Sequence, residues 1–483
     1  MMKSHLRRLF HLVVLLSPCW CQAQFFQRTF GWGPFNTAPS CAYRSDGYYG
    51  LSGSFSSNGS SQTDFVLIQI DTNGTFQWSK CYGSAGIDNV TRLATLPDSG
   101  YVLAGFTNGF SSNNDYDGYV VRTDPFGDTL WTRTFGTSEW DFVNDLKLLS
   151  DGNYLLAGSS ESSSFGNTAG WLQTITPNGL PVFSRFITDA DHRYEFTGVD
   201  QANDSILYVC GSMTAITGNI HRPILLQLKY PSLDSSWMFV GDTSWGDAEF
   251  SGVSVTRGLQ PVACGHSILN GRSDKDILLC KTDTAGNPVW TRIITSTFNE
   301  YLTRVITQGD SIVCSGTTDQ YGGGGQDFYV IRFRPNGTFL RGRTFGDSES
   351  DVAYDVVNSR GNRITAFGTT RSYGPGIVSM MIVACDDSMN LTPPMVVGTE
   401  DSKDEASELQ LFPNPSEGLI HLIADGMNIH GLTATLTDFS GREIWKMMMT
   451  DAEIDLRNEP NGIYLLKLYK EETVRTFRLV IAK

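Results

Sequence analysis

The chain has 483 residues, 49 of them glycine, and a formal net charge of −15, with 18% charged and 12% aromatic residues. The acidic balance argues against nucleic acid or an anionic membrane surface as partner, because both require a basic face. Abundant glycine and aromatic residues without helical periodicity indicate an all-β chain of many short strands.

Residues 1–23 have the pattern of a secretory signal peptide. Basic residues near the start, including Arg7 and Arg8, precede an apolar run from Leu9 to Leu16, and small or polar residues follow to Ala23. This run is too short to span a bilayer, and no other segment reaches the roughly 20 apolar residues required. The sequence therefore predicts export and no transmembrane segment in the mature chain.

Residues 24–386 contain a repeat whose most constant feature is a short strand ending in glycine. The seven glycines, 51 to 54 residues apart, are Gly53, Gly105, Gly158, Gly211, Gly265, Gly316 and Gly368. Each repeat has four alternating segments separated by turns. Four antiparallel strands at this period predict a seven-bladed β-propeller.

The two ends of the repeat region complement each other. The seventh repeat, which begins at Asp351, has three strands and lacks a fourth. The segment Phe26–Phe30 resembles that missing strand. Pairing the two would close the ring and remove an open sheet edge.

The last strand of several repeats carries a large aromatic residue after an Asp-x-x-Gly turn. These residues are Trp78, Trp131, Phe183 and Trp290. We expect them to pack between neighbouring sheets. Cys210, Cys264 and Cys280 occupy small apolar positions in strands and are expected to be free thiols.

An acidic residue stands near the start of the first strand in six repeats, with Asn36 at that place in the first repeat. The six acids are Asp88, Asp141, Glu195, Glu249, Glu300 and Asp351. If the first strands line the axis, these side chains could ring one mouth of the channel and hold calcium or a polar ligand. The alternative is structural, because an acid before a strand often accepts backbone N–H bonds.

A second calcium candidate lies in the second repeat. Asn113, Asp115, Asp117 and Gly118, with Asp124 further on, mimic the start of an EF-hand loop. The expected glutamate at the twelfth position is missing. No organic cofactor is predicted from the sequence.

After an acidic linker at residues 387–408, short alternating strands resume from Leu409 to Lys483 and predict a small immunoglobulin-like β-sandwich. Three motifs mark this module, and their defining residues are Pro413, Asn414, Pro415 and Gly418, then Asp438, Gly441 and Arg442, then Gly462 and Tyr464. In this order they resemble the type A C-terminal sorting domain of the type IX secretion system of Bacteroidetes. The resemblance implies the secretion machinery and its surface peptidase as partners, with release or attachment at the outer-membrane surface.

Two functions fit these observations. The first is a secreted or surface-displayed module for binding or adhesion to a polysaccharide or protein. Its variable loops between second and third strands, such as Phe55–Thr63 and Phe106–Asn114, would form the contact surface. The alternative is a secreted hydrolase or lyase acting on glycans at the channel mouth, although no catalytic motif supports it.

Overall fold

The computed structural model describes residues 26–31, 37–56, 62–111, 113–161, 166–309, 311–374, 378–391, 409–412, 418–424, 432–438, 443–449, 453–460, 462–470 and 473–481. The predicted signal peptide and residues 392–408 of the predicted linker lie outside the described residues. The chain divides into two compact units, the first ending at Met395 and the second beginning at Val396. Within the described ranges, no helix is long and apolar enough to cross a membrane.

The first unit consists of seven four-stranded antiparallel sheets, here called blades 1 to 7. Blade 1 contains β2 (Ser40–Tyr43), β3 (Tyr48–Phe55), β4 (Asp64–Asp71) and β5 (Phe76–Tyr82). Blade 2 contains β6 (Asp88–Thr95), β7 (Tyr101–Thr107), β8 (Asp117–Thr123) and β9 (Thr129–Phe135). Blade 3 contains β10 (Asp141–Leu148), β11 (Tyr154–Ser160), β12 (Ala169–Ile175) and β13 (Pro181–Ile187). Blade 4 contains β14 (His192–Asn203), β15 (Ile206–Ala215), β16 (His221–Lys229) and β17 (Asp234–Val240).

Blade 5 contains β18 (Asp247–Val255), β19 (Pro261–Ile268), β20 (Asp276–Thr282) and β21 (Pro288–Ile294). Blade 6 contains β22 (Glu300–Gln308), β23 (Ser311–Thr318), β24 (Asp327–Phe333) and β25 (Phe339–Phe345). Blade 7 contains β26 (Asp351–Ser359), β27 (Arg363–Thr370), β28 (Ser379–Cys385) and, as its fourth strand, β1 (Phe26–Phe30). A single turn of 3-10 helix, Thr243–Trp245, precedes blade 5. The predicted seven-bladed propeller is confirmed.

The N-terminal strand β1 closes the ring, as the sequence predicts. It pairs antiparallel with β28 from Phe26 opposite Ala384 to Phe30 opposite Met380. Phe26 is buried and packs against the turn glycine Gly74 of blade 1, where an added Cβ would lie 2.8 Å from its ring. One short segment therefore completes blade 7 and seals it against blade 1.

Tryptophans seal four other junctions by covering a turn glycine of the next blade. These are the predicted Trp78, Trp131 and Trp290, together with Trp237, which was not predicted. The Trp131 indole of blade 2 covers the turn glycine Gly179 of blade 3, and its Nε1 donates to the Pro177 carbonyl at 3.1 Å. Trp290 of blade 5 makes the same 3.1 Å bond to Pro335 of blade 6. The turn glycines have positive φ, and a side chain there would strike the indole. The predicted packing between sheets is confirmed for the three tryptophans, whereas Phe183 is 40% exposed.

The first strands of the seven blades form the inner ring. Each contacts the first strands of both neighbouring blades, and β26 contacts β2. In blades 2 to 7 this strand carries a β-bulge directly after the residue that faces the repeat glycine. The bulged residue can then reach the next blade, as Thr91 does by donating to the Val143 carbonyl at 2.8 Å.

Charged residues just past the bulges meet at the axis. Arg92 lies 3.2 Å from Asp145 and 2.9 Å from Asp355. Arg304 lies 3.0 Å from Asp145 through Nη1 and 3.9 Å from Asp355 through Nε. The two carboxylates also accept backbone N–H bonds, from Val199 to Asp145 and from Cys41 to Asp355.

This axial charge cluster balances two guanidinium groups with two fully buried carboxylates. Burial alone would raise the pKa of Asp145, but Arg304 and Arg92 outweigh it and hold this pKa below its usual range. Ser40 adds a 2.8 Å hydrogen bond to Asp355. Side chains of blades 1, 2, 3, 6 and 7 and a backbone N–H of blade 4 therefore meet in one polar cluster at the axis.

The seven cysteines between Cys41 and Cys385 are free, and all but Cys81 are buried. This confirms the free thiols predicted at Cys210, Cys264 and Cys280. Burial raises the pKa of the Cys280 thiol to about 11. These residues act as small apolar side chains of the blade cores.

The described residues of the second unit form two sheets. The first, in spatial order, has β29 (Leu409–Phe412), β30 (Leu419–Ala424) and β33 (Glu453–Asp455); the second has β32 (Glu443–Met448), β31 (Thr433–Asp438), β34 (Gly462–Lys470) and β35 (Thr473–Ile481). Buried residues of both sheets, such as Ile420 and Leu466, share one core. The predicted small sandwich is confirmed.

We expect Arg304→Met to lower the free energy of unfolding by about 3 kcal/mol, because it leaves Asp145 buried with one guanidinium fewer. Urea denaturation followed by tryptophan fluorescence measures this change. Arg133→Met, which removes an exposed arginine of β9, is the matched control and should change stability little. Equal stability of the Arg304 variant and the control would show that the axial cluster does not hold the ring together.

Candidate functional site

The loops between second and third strands and the loops that enter each new blade lie at the same end of the sheets. In blade 2 this end is marked by Thr107, Asp117 and Phe135. We call it the loop face, and we call the opposite end, with the tight hairpins, the hairpin face. The predicted site residues lie on the loop face.

The six predicted acids do not form one ring. Asp88, Asp141, Glu300 and Asp351 occupy the same place, two residues before the residue opposite the repeat glycine. Each is at most 4% exposed. The expectation that they line an open channel mouth is therefore wrong, because the blades enclose them.

Each of these four acids receives hydrogen bonds from the loop that enters its blade. The backbone N–H groups of Ser84, Thr137 and Asp347 donate to Asp88, Asp141 and Asp351 at 2.7, 2.5 and 3.1 Å. The Ser296 hydroxyl donates to Glu300 at 2.5 Å. These bonds agree with the structural alternative, in which an acid at the start of a strand accepts hydrogen bonds from the preceding loop.

Glu195 and Glu249 lie one residue out of register with the other acids. They pair with Ser212 and His266, and the equivalent places belong to Tyr194 and Ala248. A one-residue shift turns a side chain to the other side of the strand. Asn36, the seventh position of the predicted ring, lies outside the described residues.

The EF-hand-like reading is also wrong. Asp117 begins β8, whereas Asp124 follows its other end, roughly 20 Å away for a strand of this length. The Asp124 carboxylate accepts the N–H groups of Phe126 and Asp128, both at 2.8 Å, within its own hairpin. Asp117 instead faces Asp141 of the next blade. These two carboxylates cannot belong to one calcium loop.

A cleft of about 520 Å³ opens on the loop face between blades 3 and 4. Its lining residues are Phe142, Asn144, Ser159, Glu161, Thr168, Arg193, Tyr194, Glu195, Ser212, Thr214, Asn219 and His221. Donors, acceptors and both signs of charge therefore face one concave surface. The junction lacks an acid pair at its centre, because Ala169 and Tyr194 stand where the junction of blades 2 and 3 has Asp117 and Asp141.

Glu195 is held at the cleft by Asn144, whose Nδ2 donates to it at 3.2 Å. The carboxylate remains accessible to solvent, but the surrounding protein restricts its hydration and raises its pKa, and Glu249 adds to the shift. Across the cleft, His221 Nδ1 lies 2.9 Å from Asp247 Oδ1. The site thus offers fixed polar groups rather than freely moving ones.

An aromatic cluster borders the cleft. Phe142, which lines it, packs with Phe106, Tyr116 and Trp140 at centroid distances of 5.0, 5.6 and 6.1 Å. Trp140 is 44% exposed. A large exposed ring beside a polar cleft provides an apolar face for a ligand whose hydroxyl groups bond within the cleft.

Sequence reasoning missed this cleft, although it did propose the neighbouring loop Phe106–Asn114. Of the cleft residues it selected only Glu195, for a different reason. Trp140 was an available signal, since a tryptophan at this place before an inner strand recurs only as Trp245, ahead of blade 5. Parts of the other proposed loop, residues 57–61, lie outside the described residues.

The predicted sorting motifs are only partly within the described residues. Pro413, Asn414, Pro415, Gly441 and Arg442 lie outside them. Gly418 has a φ of +111° and its carbonyl accepts the Leu456 N–H at 2.5 Å. Asp438 pairs with Tyr464, two residues into the strand that Gly462 begins, and the Tyr464 hydroxyl donates to the Pro460 carbonyl at 2.7 Å.

Several solved structures resemble the chain in arrangement. PorZ, described as an essential surface component of the type-IX secretion system of Porphyromonas gingivalis, is 10% identical with a TM-score of 0.43, over 92% of this chain and 59% of PorZ. The β-propeller domain of the Trilobed protease from Pyrococcus furiosus is 8% identical with a TM-score of 0.45, over 76% of this chain and 100% of the domain. Sqt1 from Chaetomium thermophilum is 11% identical with a TM-score of 0.43, over 74% and 99%.

At these identities and TM-scores the likenesses assign no function, and the fold rests on the strand pairing itself. No curated protein matches the chain. Residues 410–482 match the family model of the secretion system C-terminal sorting domain. This confirms the resemblance found in the three motifs. The second unit of the chain belongs to the family of secretion-system C-terminal sorting domains.

Proposed function

We propose that the chain is an exported surface module whose propeller binds a neutral glycan in the cleft between blades 3 and 4. The observation that carries this proposal is the exposed ring of Trp140 beside a cleft of fixed polar groups. Sugar rings present C–H groups on one face and hydroxyls at the rim, so they match an aromatic platform joined to donors and acceptors. The sorting domain supplies the route of export.

The electrostatics favour a neutral glycan over a polyanion. The chain carries a net charge of −15, and the cleft has Glu161 and Glu195 beside Arg193. A strongly acidic polymer would be repelled by the chain as a whole. Neutral hydroxyl groups can bond to both the carboxylates and the guanidinium.

One observation favours glycan hydrolysis as a second candidate function. Glu195 has a raised pKa in the cleft, and Glu161 supplies a second carboxylate on its lining. Most glycoside hydrolases use two carboxylates, one of them protonated near neutral pH. Binding requires no such pair, so measured turnover separates the two functions.

We expect Trp140→Ala and Arg193→Ala each to weaken binding of a neutral polysaccharide about tenfold, the effect of losing roughly 1.4 kcal/mol of contact energy. Affinity electrophoresis of residues 24–483 against a panel of neutral and acidic polysaccharides measures this. Phe126→Ala removes a ring that is 70% exposed on the hairpin face and is the matched control.

Unchanged binding in both cleft variants would reject this cleft as the ligand site. Release of reducing ends by the intact chain, abolished by Glu195→Gln, would replace the binding function with hydrolysis. Failure of the chain to bind any glycan in the panel would reject the ligand class.

We expect deletion of residues 409–483 to leave the propeller in the periplasm of a host that has a type IX secretion system. Cell fractionation and surface proteolysis of intact cells measure its location. In the reciprocal experiment, residues 387–483 fused to a periplasmic carrier should bring that carrier to the surface. Surface export of the truncated chain would contradict the proposed role of the second unit.

A further inference from the structure

Four blade junctions bring two acidic side chains together. The first residue of a third strand faces the first residue of the next blade, in the pairs Asp64 with Asp88, Asp117 with Asp141, Asp276 with Glu300, and Asp327 with Asp351. The other two junctions in the described part of the ring have Ala169 with Tyr194 and Arg222 with Ala248. At these six junctions, an acid at the start of the third strand is thus always accompanied by an acid at the start of the next blade.

At three of these junctions both carboxylates approach one glycine so closely that a larger residue would not fit there. A Cβ on Gly346 would lie 1.8 Å from Asp327 Oδ1 and 2.7 Å from Asp351 Oδ2. The corresponding distances are 2.3 and 2.7 Å at Gly136 and 2.0 and 2.7 Å at Gly83. In each case two carboxylate oxygens from different blades converge beside the glycine. We call these three places the glycine cradles.

The cradle at Gly346 contains an unpartnered buried acid. Asp327 is 1% exposed, and neither carboxylate oxygen has a donor at hydrogen-bond distance and geometry. The nearby Gly323 amide favours the charged form of Asp327 and so acts to lower its pKa. Burial and then Asp351 raise the pKa of Asp327 to about 6 despite that amide. Two ionised carboxylates enclosed without a positive charge repel each other and lose their hydration, which is unfavourable.

At the fourth acid pair, an arginine of the protein lies close enough to balance part of the negative charge. Arg272 Nη2 lies 3.8 Å from Asp276 Oδ1, and Thr295 replaces the glycine of the cradle. Within the described residues, no lysine or arginine forms an ion pair with either acid of a glycine cradle. The two acids beside each cradle glycine therefore have no cation supplied by the described part of the protein.

We propose that the three glycine cradles bind divalent cations of the calcium type, each held between two blades by one carboxylate from each. Calcium prefers oxygen ligands at about 2.3–2.6 Å and accepts main-chain carbonyls and water in flexible geometry. The described residues contain no group of three or more acidic, histidine or cysteine ligands. The remaining ligands are therefore backbone oxygens, hydroxyls such as that of Ser372 near Asp351, and water.

Equilibrium dialysis of residues 24–483 against calcium, followed by elemental analysis, tests this proposal. At about 5 mM free calcium, above the dissociation constants of about 10⁻⁴–10⁻³ M typical of extracellular sites, we expect about three ions per chain. Asp64→Asn, Asp117→Asn and Asp327→Asn should each remove one ion. Asp276→Asn, at the junction with Arg272, is the matched control and should leave calcium uptake unchanged.

Thermal unfolding gives a second readout that does not depend on the variants. Calcium should raise the melting temperature of the unmodified chain and a chelator should reverse this, because a ligand of the folded state stabilises it. Absence of calcium uptake by the unmodified chain would overturn the proposal. Uptake that persists in the triple Asp→Asn variant would overturn it too. A third result would also overturn the proposal. If calcium does not change the melting temperature, but stability falls as the pH rises through about 6, the paired acids share a proton and do not bind a cation.

Discussion

Closure of seven blades around one axis is the constraint on which the rest of the structure depends. The side chains just past the bulges of the inner strands meet at the axis, so they must fit one another. In blade order these residues are Ser40, Arg92, Asp145, Gly198, Gly252, Arg304 and Asp355. Two cations and two anions meet, while the two glycines and the serine leave room for the long guanidinium side chains.

The axial cluster also discriminates against wrong arrangements. Each arginine lies near both aspartates, so displacing one blade relative to the others would leave a buried charge unpaired. Buried ion pairs add little net stability, since desolvation offsets much of their attraction, but breaking one is costly. The cluster is therefore better understood as selecting the closed ring of seven blades in this order than as a source of stability.

Several features repeated in nearly every blade serve closure, and the candidate cleft lies at a junction that departs from the repeat. Tryptophan on a turn glycine recurs at successive junctions and requires only packing. The cleft opens at the junction where Ala169 and Tyr194 replace the acid pair. Arg272 and Thr295 replace the cradle at another junction. The variation lies on the loop face, while the blade cores keep the same pattern of buried strands.

The sequence predicted the blades well because the signals for them are local. The strand before each repeat glycine and the aromatic residue after each turn depend on residues close in the chain. The closing strand was predictable because Phe26–Phe30 resembles the fourth strands of other repeats. The axial cluster was not, since Arg92 and Asp355 are far apart in sequence and nothing local relates them.

The prediction that all six acids occupy the same position was wrong, and the strand pairing shows why. Asp141 precedes Gly158 by 17 residues, whereas Glu249 precedes Gly265 by 16, as Glu300 precedes Gly316. The hairpin of blade 6 is one residue shorter, so Glu300 keeps its place and Glu249 does not. Counting residues cannot separate these cases. A shift of one residue reverses the side of the strand, which moves Glu195 from a blade junction to the cleft.

The paired acids pose a question that loop capping alone does not answer. One carboxylate suffices to accept the N–H groups of the entering loop, as Asp141 does for Thr137. A second carboxylate beside it raises the energy of the ionised junction, so a purely structural role would favour a neutral partner such as asparagine. The second acid occurs with a glycine at three junctions and with an arginine at the fourth. A positive charge between the blades is the element common to both arrangements, and at the glycine cradles it must come from outside the chain.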